Sequence, residues 1–140
     1  VRWRARVQDA PMLNVVLPIL LAATLAFLLT LAPKLRGFSR RDNHHTREWQ
    51  AKLEGWQKRS TWAHQNSLET LPLFIGAVIC AHLGNPGSSI AAGLAYGYVG
   101  LRGLYAYFYI SDRGNARSLA WMASMMVILA LYVLALVGPS

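Results

Sequence analysis

Three stretches of this chain are almost free of charge, and each is long enough to cross a lipid bilayer at least once. Ala10 to Pro33 carries no ionised side chain over 24 residues. Residues 60–101 hold one formal charge, Glu69, and residues 118–140 hold none. About 20 apolar residues, at about 1.5 Å each, cross a hydrocarbon core about 30 Å thick. The middle stretch is too long for one crossing, and Gly84-Asn85-Pro86-Gly87-Ser88-Ser89 interrupts it with turn-forming residues. The pattern predicts an all-α integral membrane four-helix bundle of up-down topology. Its helices fall at about 10–34, 58–83, 90–111 and 117–137, with a polar connector at about 35–57 and residues 1–140 as a single transmembrane domain.

Arg2, Arg4 and Arg6 precede the first apolar run, as in a secretory signal. The run is longer than the roughly 7–15 apolar residues of such a signal, and Pro33-Lys34-Leu35-Arg36 is not a small-residue cleavage site. A membrane anchor is therefore expected there. Orientation follows from the basic residues. The connector after the first span carries eight (34, 36, 40, 41, 47, 52, 58 and 59) and the turn after the third span two (113 and 117), against three before the first span. By the positive-inside rule the two charged connectors are cytoplasmic and both termini lie on the other side.

The net charge of +8 would suit nucleic acid if Lys and Arg covered a soluble surface. Here they are confined between apolar runs, so membrane lipids or an anionic ligand are the expected partners and nucleic acid is not. The one cysteine, Cys80, allows no intrachain disulfide and lies in an apolar run.

An ionised residue within a membrane span marks a functional site unless its partner accounts for it. Two occur, Glu69 in the second span and Arg102 in the third. Each lies ten residues from its basic or acidic flank, Arg59 or Asp112, so both sit roughly 15 Å below the same surface. At matched depth they are expected to pair. At 100° per residue, Arg59, Trp62, Asn66, Glu69 and Leu73 share one face of the second span within about 80°, and Tyr98, Arg102, Tyr105 and Tyr109 one face of the third within about 60°. Two facing polar-aromatic stripes, open at the connector end, describe a pocket for a polar or anionic ligand. A buried pair that only fixes helix register is the simpler alternative, and for Tyr107 and Tyr109 an interfacial aromatic belt is another. His64 points away from this face. His82 sits at the far turn. His44-His45 beside Asp42 lacks the spaced ligand set that a metal site needs, so no metal is expected. No nucleophile–histidine arrangement, P-loop or dinucleotide glycine motif can be argued.

The segment from Arg59 to Phe74 contains Arg59, Ala63, His64, Asn66, Glu69, Pro72 and Phe74 in the spacing R-x-x-x-A-[HQ]-x-N-x-x-E-x-x-P-x-F. It resembles the helix-two signature of the MAPEG family, the membrane-associated proteins in eicosanoid and glutathione metabolism. Arg102, Tyr105 and Tyr109, followed by Ala116-Arg117-Ser118-Leu119, resemble the family's later signature. Asp42-Asn43 to Arg47 is similar to the bacterial branch, which implies a bacterial inner membrane as the location. The resemblance spans about residues 40–121. It implies a left-handed four-helix bundle assembled as a homotrimer, with glutathione as co-substrate in a cleft between subunits on the cytoplasmic side. It implies glutathione contacts at Arg59, Asn66, Glu69, Arg102, Tyr105 and Tyr109, and a catalytic role for Arg117 in stabilising the thiolate. A cation beside sulfur lowers a thiol pKa and raises the reactive fraction. Trp62 stands where several leukotriene- and prostaglandin-forming members have Arg, and Thr70 where some have Tyr, so no eicosanoid substrate carries over. The expected activity is a glutathione-dependent transferase or peroxidase acting on lipophilic electrophiles. The rival readings are a non-catalytic lipid-binding or accessory subunit of a larger membrane complex, and a small transporter using Glu69 and Arg102.

Overall fold

The computed structural model describes the backbone of residues 2–138 and the side chains of residues 12–138. The side chains of Arg2, Arg4 and Arg6, on which part of the orientation count rests, lie outside the described residues. The elements in order are α1 (Arg2–Lys34), a single 3-10 turn (Asp42–His44), α2 (Thr46–Ala51), α3 (Gly55–Gly84), α4 (Ser89–Ile110) and α5 (Gly114–Val137). No strand occurs among the described residues.

Three segments are long and apolar enough to cross a membrane: Met12–Lys34, Gly55–Gly84 and Gly114–Val137. The 22 residues of α4 are also long enough, at about 33 Å. Its tyrosines, glycines and Arg102 leave it without a stretch as apolar as those three. α3 and α4 form the middle of the molecule, each packing on the other, on α1 and on α5, while among the described residues the backbones of α1 and α5 do not approach one another.

Small residues set the spacing of these helices. Phe74, Ala77, Val78 and Ala81 of α3 meet Ala91, Ala95 and Tyr98 of α4 and Ile128 and Leu131 of α5. A second cluster nearer the connector joins Leu29, Ala63, Tyr105, Ala106 and Ala120. Lipid tails are as apolar as these side chains, so inside a bilayer cohesion rests on close packing and interhelical hydrogen bonds. At Gly84 the backbones of α3 and α5 come close, and a Cβ there would meet the Ala135 carbonyl oxygen at 2.6 Å.

Side chains that donate to a neighbouring helix's backbone tie the helices together. Pro33 has no N–H to reach the carbonyl four residues back, which leaves that of Leu29 without its usual partner. The Ser60 hydroxyl donates to it at 2.7 Å. His64 Nδ1 lies 2.6 Å from the Ala26 carbonyl. Because a carbonyl only accepts, Nδ1 carries the hydrogen. Asn85 Nδ2 donates to the Leu134 carbonyl at 2.7 Å and locks the far end of α3 onto α5. Ser88, whose Oγ accepts from the Ala91 amide at 3.2 Å, caps α4.

The connector is folded. Ser39 and Asp42 hold one another: the Ser39 amide and hydroxyl donate to Asp42 Oδ2 at 2.8 and 2.6 Å, and the Asp42 amide reaches back to Ser39. This is the logic of a capping box. Phe38 packs edge-on against Trp49, with ring centres 5.0 Å apart. Gln57 of α3 donates to the carbonyls of Pro33 and Arg36 at 3.3 and 3.1 Å, which satisfies the frayed end of α1.

Candidate functional site: a donor-lined cleft between α3, α4 and α5

Arg102 is 2% exposed. Its Nη2 donates to Asn66 Oδ1 at 3.0 Å and to Ser67 Oγ at 2.9 Å. Its Cζ lies 4.2 Å from the centre of the Tyr105 ring, within cation–π range. Nε and Nη1 are buried without a partner.

Glu69 does not pair with Arg102. Among the described side chains no Lys or Arg lies within ion-pair distance of a carboxylate, and the one such contact is between His45 and Glu48, 3.7 Å apart on the connector surface. Glu69 is exposed on the outer flank of α3. The reason is angular. Asn66 and Glu69 are three residues and about 60° apart around the helix. Asn66 falls on the side facing α4, whereas Glu69 is carried past it, outward.

Arg102 fixes the sense in which Asn66 is presented. With Oδ1 accepting from the guanidinium, the amide nitrogen is free to donate elsewhere. Asn66, Tyr105, Tyr109, Arg117, Ser118, Trp121 and Met122 line a cleft of about 440 Å³. Tyr105 meets Tyr109 edge-on at 5.5 Å, and the Arg117 guanidinium sits 4.6 Å from the centre of the Tyr109 ring. Trp62 comes within 6.4 Å of the same tyrosine. The polar lining consists of an amide, three hydroxyls, an indole and a guanidinium, with no carboxylate. The Ser118 hydroxyl donates to the Gly114 carbonyl at 3.1 Å, and the amide, the two phenols, the indole and the guanidinium can donate into the cleft.

Of the seven residues singled out from the sequence, Asn66, Tyr105, Tyr109 and Arg117 line this cleft, and Arg102 stands behind its wall. Arg59 braces the frame, donating from Nε to the Ile110 carbonyl at 3.0 Å, which ties the start of α3 to the end of α4. Glu69 lies outside the cleft. Tyr98, which shares the face of Arg102, is a core residue: it stacks on Phe74 with ring centres 3.9 Å apart and donates to Thr70 at 3.1 Å.

Ser118, Trp121 and Met122 went unrecognised in the sequence. The signal was present, since Trp121 and Met122 lie one helical turn beyond Arg117 and Ser118 and so share their face. The role of Ser67 as a second acceptor for Arg102 has no sequence signature. Among the described residues no group of three or more His, Cys, Asp or Glu is placed to hold a metal ion.

No curated protein matches the chain. Residues 15–137, nearly its whole length, match the MAPEG family. The match takes in the later part of α1, all of α3, α4 and α5, and the cleft. This chain of membrane-crossing helices, with its arginine-organised cleft near the connector end, belongs to the MAPEG family.

Proposed function

We propose that this protein is a glutathione-dependent membrane transferase or peroxidase acting on lipophilic electrophiles. The observation that carries this reading is the lining of the cleft, which offers several donors and no carboxylate, backed by the uncompensated charge of Arg102. A buried cation lacking a counter-ion is costly, and an anion bound nearby offsets that cost. Glutathione brings two carboxylates and a thiol. A cleft of about 440 Å³ falls in the usual range of about 300–1,000 Å³ for small-molecule sites.

In this reading the Asn66 amide and the tyrosine hydroxyls donate to the tripeptide. The Arg102 charge supports them from behind. Arg117 stands at the start of α5 as the cation beside the sulfur, stabilising the thiolate that forms when the thiol gives its proton to water. The thiolate then forms a bond to the electrophilic carbon while the leaving group departs with its electron pair. The bilayer supplies the apolar reactant and the aqueous side supplies glutathione.

The proposal extends to the assembly. We place α4 across the membrane as a fourth span, with the basic connector and the cleft mouth in the cytoplasm and the protein in a bacterial inner membrane. Glu69 is exposed on α3 about 15 Å below Arg59, where contact with lipid would be expensive. A neighbouring copy that covers this face and brings a cation or hydrogen-bond donors to Glu69 offsets the cost, which supports a homotrimer with the cleft completed between subunits.

Two observations favour the second reading, a lipid-binding or accessory subunit. The Thr70 hydroxyl is used inside the core by Tyr98, and Glu69 does not line the cleft of the single chain. Titration calorimetry of the purified protein with glutathione separates the two. Saturable binding that weakens at least about tenfold in Asn66→Leu, as expected for loss of a hydrogen bond to a charged group, supports the first. Absence of binding by the wild type refutes it.

A further inference from the structure

The two halves of α5 are held in different ways. In the far half, Ile128 and Leu131 are buried in the core shared with α3 and α4. There the Tyr132 hydroxyl donates to the Leu73 carbonyl at 3.2 Å, and Asn85 Nδ2 donates to the Leu134 carbonyl at 2.7 Å. Gly76 and Gly84 allow this approach, since a Cβ at either would lie 2.6 Å from an α5 atom. In the connector half, the hydroxyls of Ser118 and Ser124 turn back on α5 itself, to the Gly114 carbonyl at 3.1 Å and the Trp121 carbonyl at 2.7 Å. Among the described residues no hydrogen bond crosses from this half to another helix. It is held by the packing of Ala120 and by the Arg117 guanidinium, 4.6 Å from the Tyr109 ring centre. Helices in a bilayer cohere through close packing and interhelical hydrogen bonds. Along this half the cleft of about 440 Å³ stands in place of packing.

We infer that the connector half of α5 is a hinged wall, which swings outward about Ser124 to admit an apolar molecule from the bilayer into the cleft. The inference rests on the proposed activity only in naming that molecule a lipophilic electrophile. Ser124 stands where the two halves meet and is fully buried. A serine hydroxyl bonded to a carbonyl one turn back competes with the backbone for it, which softens and bends a helix at that point. The joint to α4 is three residues, Ser111 to Arg113, which span up to about 10 Å and so permit a few ångström of travel. Trp121 and Met122 line the cleft one turn deeper in the membrane than Arg117 and Ser118. They are 38% and 57% exposed, so a molecule arriving from the bilayer meets them before the polar groups.

A bend of about 20° at Ser124, carried over the roughly 14 Å from there to Asn115, moves the free end by about 5 Å. The test is double electron–electron resonance on the full chain in lipid nanodiscs, with Cys80→Ala and with labelled chains diluted among unlabelled ones. One spin-label pair, at Leu35 and Asn115, spans the connector ends of α1 and α5. The other, at Leu13 and Leu136, spans their far ends. All four positions are exposed. Added chlorodinitrobenzene, the apolar probe, should lengthen the first distance by about 5 Å and leave the second unchanged. Ser124→Ala, which removes the back-bonded hydroxyl, should reduce the lengthening. No glutathione is present, so a protein that moves this way yet binds no tripeptide keeps the hinge and loses the transferase reading. The inference is overturned by a first distance that the probe leaves unchanged, by equal changes at both ends, or by undiminished lengthening in Ser124→Ala.

Discussion

A single terminal nitrogen of Arg102 serves both Asn66 and Ser67, with donor–acceptor distances of 3.0 and 2.9 Å. The two acceptors back each other up, because either alone still gives the buried guanidinium one partner. Hydrogen bonds to charged groups contribute about 1.5–3 kcal/mol. Ser67→Ala and Asn66→Leu should each lower thermal stability in detergent modestly. The double variant should lose about 1–2 kcal/mol more than their sum. Glu69→Gln should leave this network unchanged, since Glu69 does not touch it. Strict additivity of the Ser67 and Asn66 losses would show that Arg102 does not couple them.

The seam between α3 and α5 makes a second expectation. At Gly84 a Cβ would meet the Ala135 backbone, with the carbonyl oxygen at 2.6 Å and Cα at 3.1 Å, and backbone cannot swing aside. Gly84→Ala should cost about 1–3 kcal/mol, the usual range for overpacking. Gly93 on α4 has nothing within 4 Å of its Cβ position, so Gly93→Ala should gain about 0.5–1 kcal/mol from helix propensity. Chemical denaturation of the two variants under the same conditions checks the contrast, and a loss at Gly93 would mean another helix covers that face.

Charge-free length and turn chemistry made the long helices legible, and helical period brought Asn66, Tyr105 and Tyr109 to one region. Period alone failed at Glu69. Matched depth with Arg102 suggested a pair, but a face about 80° wide does not distinguish a residue aimed at α4 from one aimed past it. The guanidinium instead took two short neutral groups, Asn66 and Ser67, which no charge-pairing rule selects. Tyr98 shared the stripe of Arg102 yet stacks in the core, because Phe74 stands opposite it. The six residues of α2 were hidden within the polar connector, where one buried apolar residue, Leu53, is too little to set a period.

The connector should respond to acid at Asp42. Hydrogen bonds from the Ser39 hydroxyl and then the Ser39 amide hold its carboxyl below the usual aspartate value. A depressed pKa means the interaction is fully present above the unfolded-state value of about 3.9 and is lost as pH falls through the folded-state value. The Ser39 amide resonance should therefore be flat above about pH 5 and shift on acidification below about pH 4. Asp42→Asn should remove the transition. Its persistence in that variant would assign the titration elsewhere.

Orientation can be read by labelling. Cys80 is exposed, so it is first replaced by Ala. A cysteine at Arg47 should then react with a membrane-impermeant maleimide only from the cytoplasmic side, and one at Ser88 only from outside. The reverse pattern would invert the topology and move the cleft mouth to the other face.

The most direct test of the proposed chemistry is the ionisation of glutathione bound to the purified protein, followed by ultraviolet thiolate absorbance as pH is raised. With Arg117 beside the sulfur, the bound thiol should ionise at least one pH unit below its free value of about 8.5. Arg117→Ala should return it to the free value and slow conjugation of an aromatic halide by roughly a hundred- to a thousand-fold, the usual effect of losing one stabilising donor. Arg117→Lys should recover only part of both, because the charge remains and the planar fork is lost. A bound thiol that ionises at its free value in the wild type, or an Arg117→Ala protein with unchanged thiolate titration, would contradict the account.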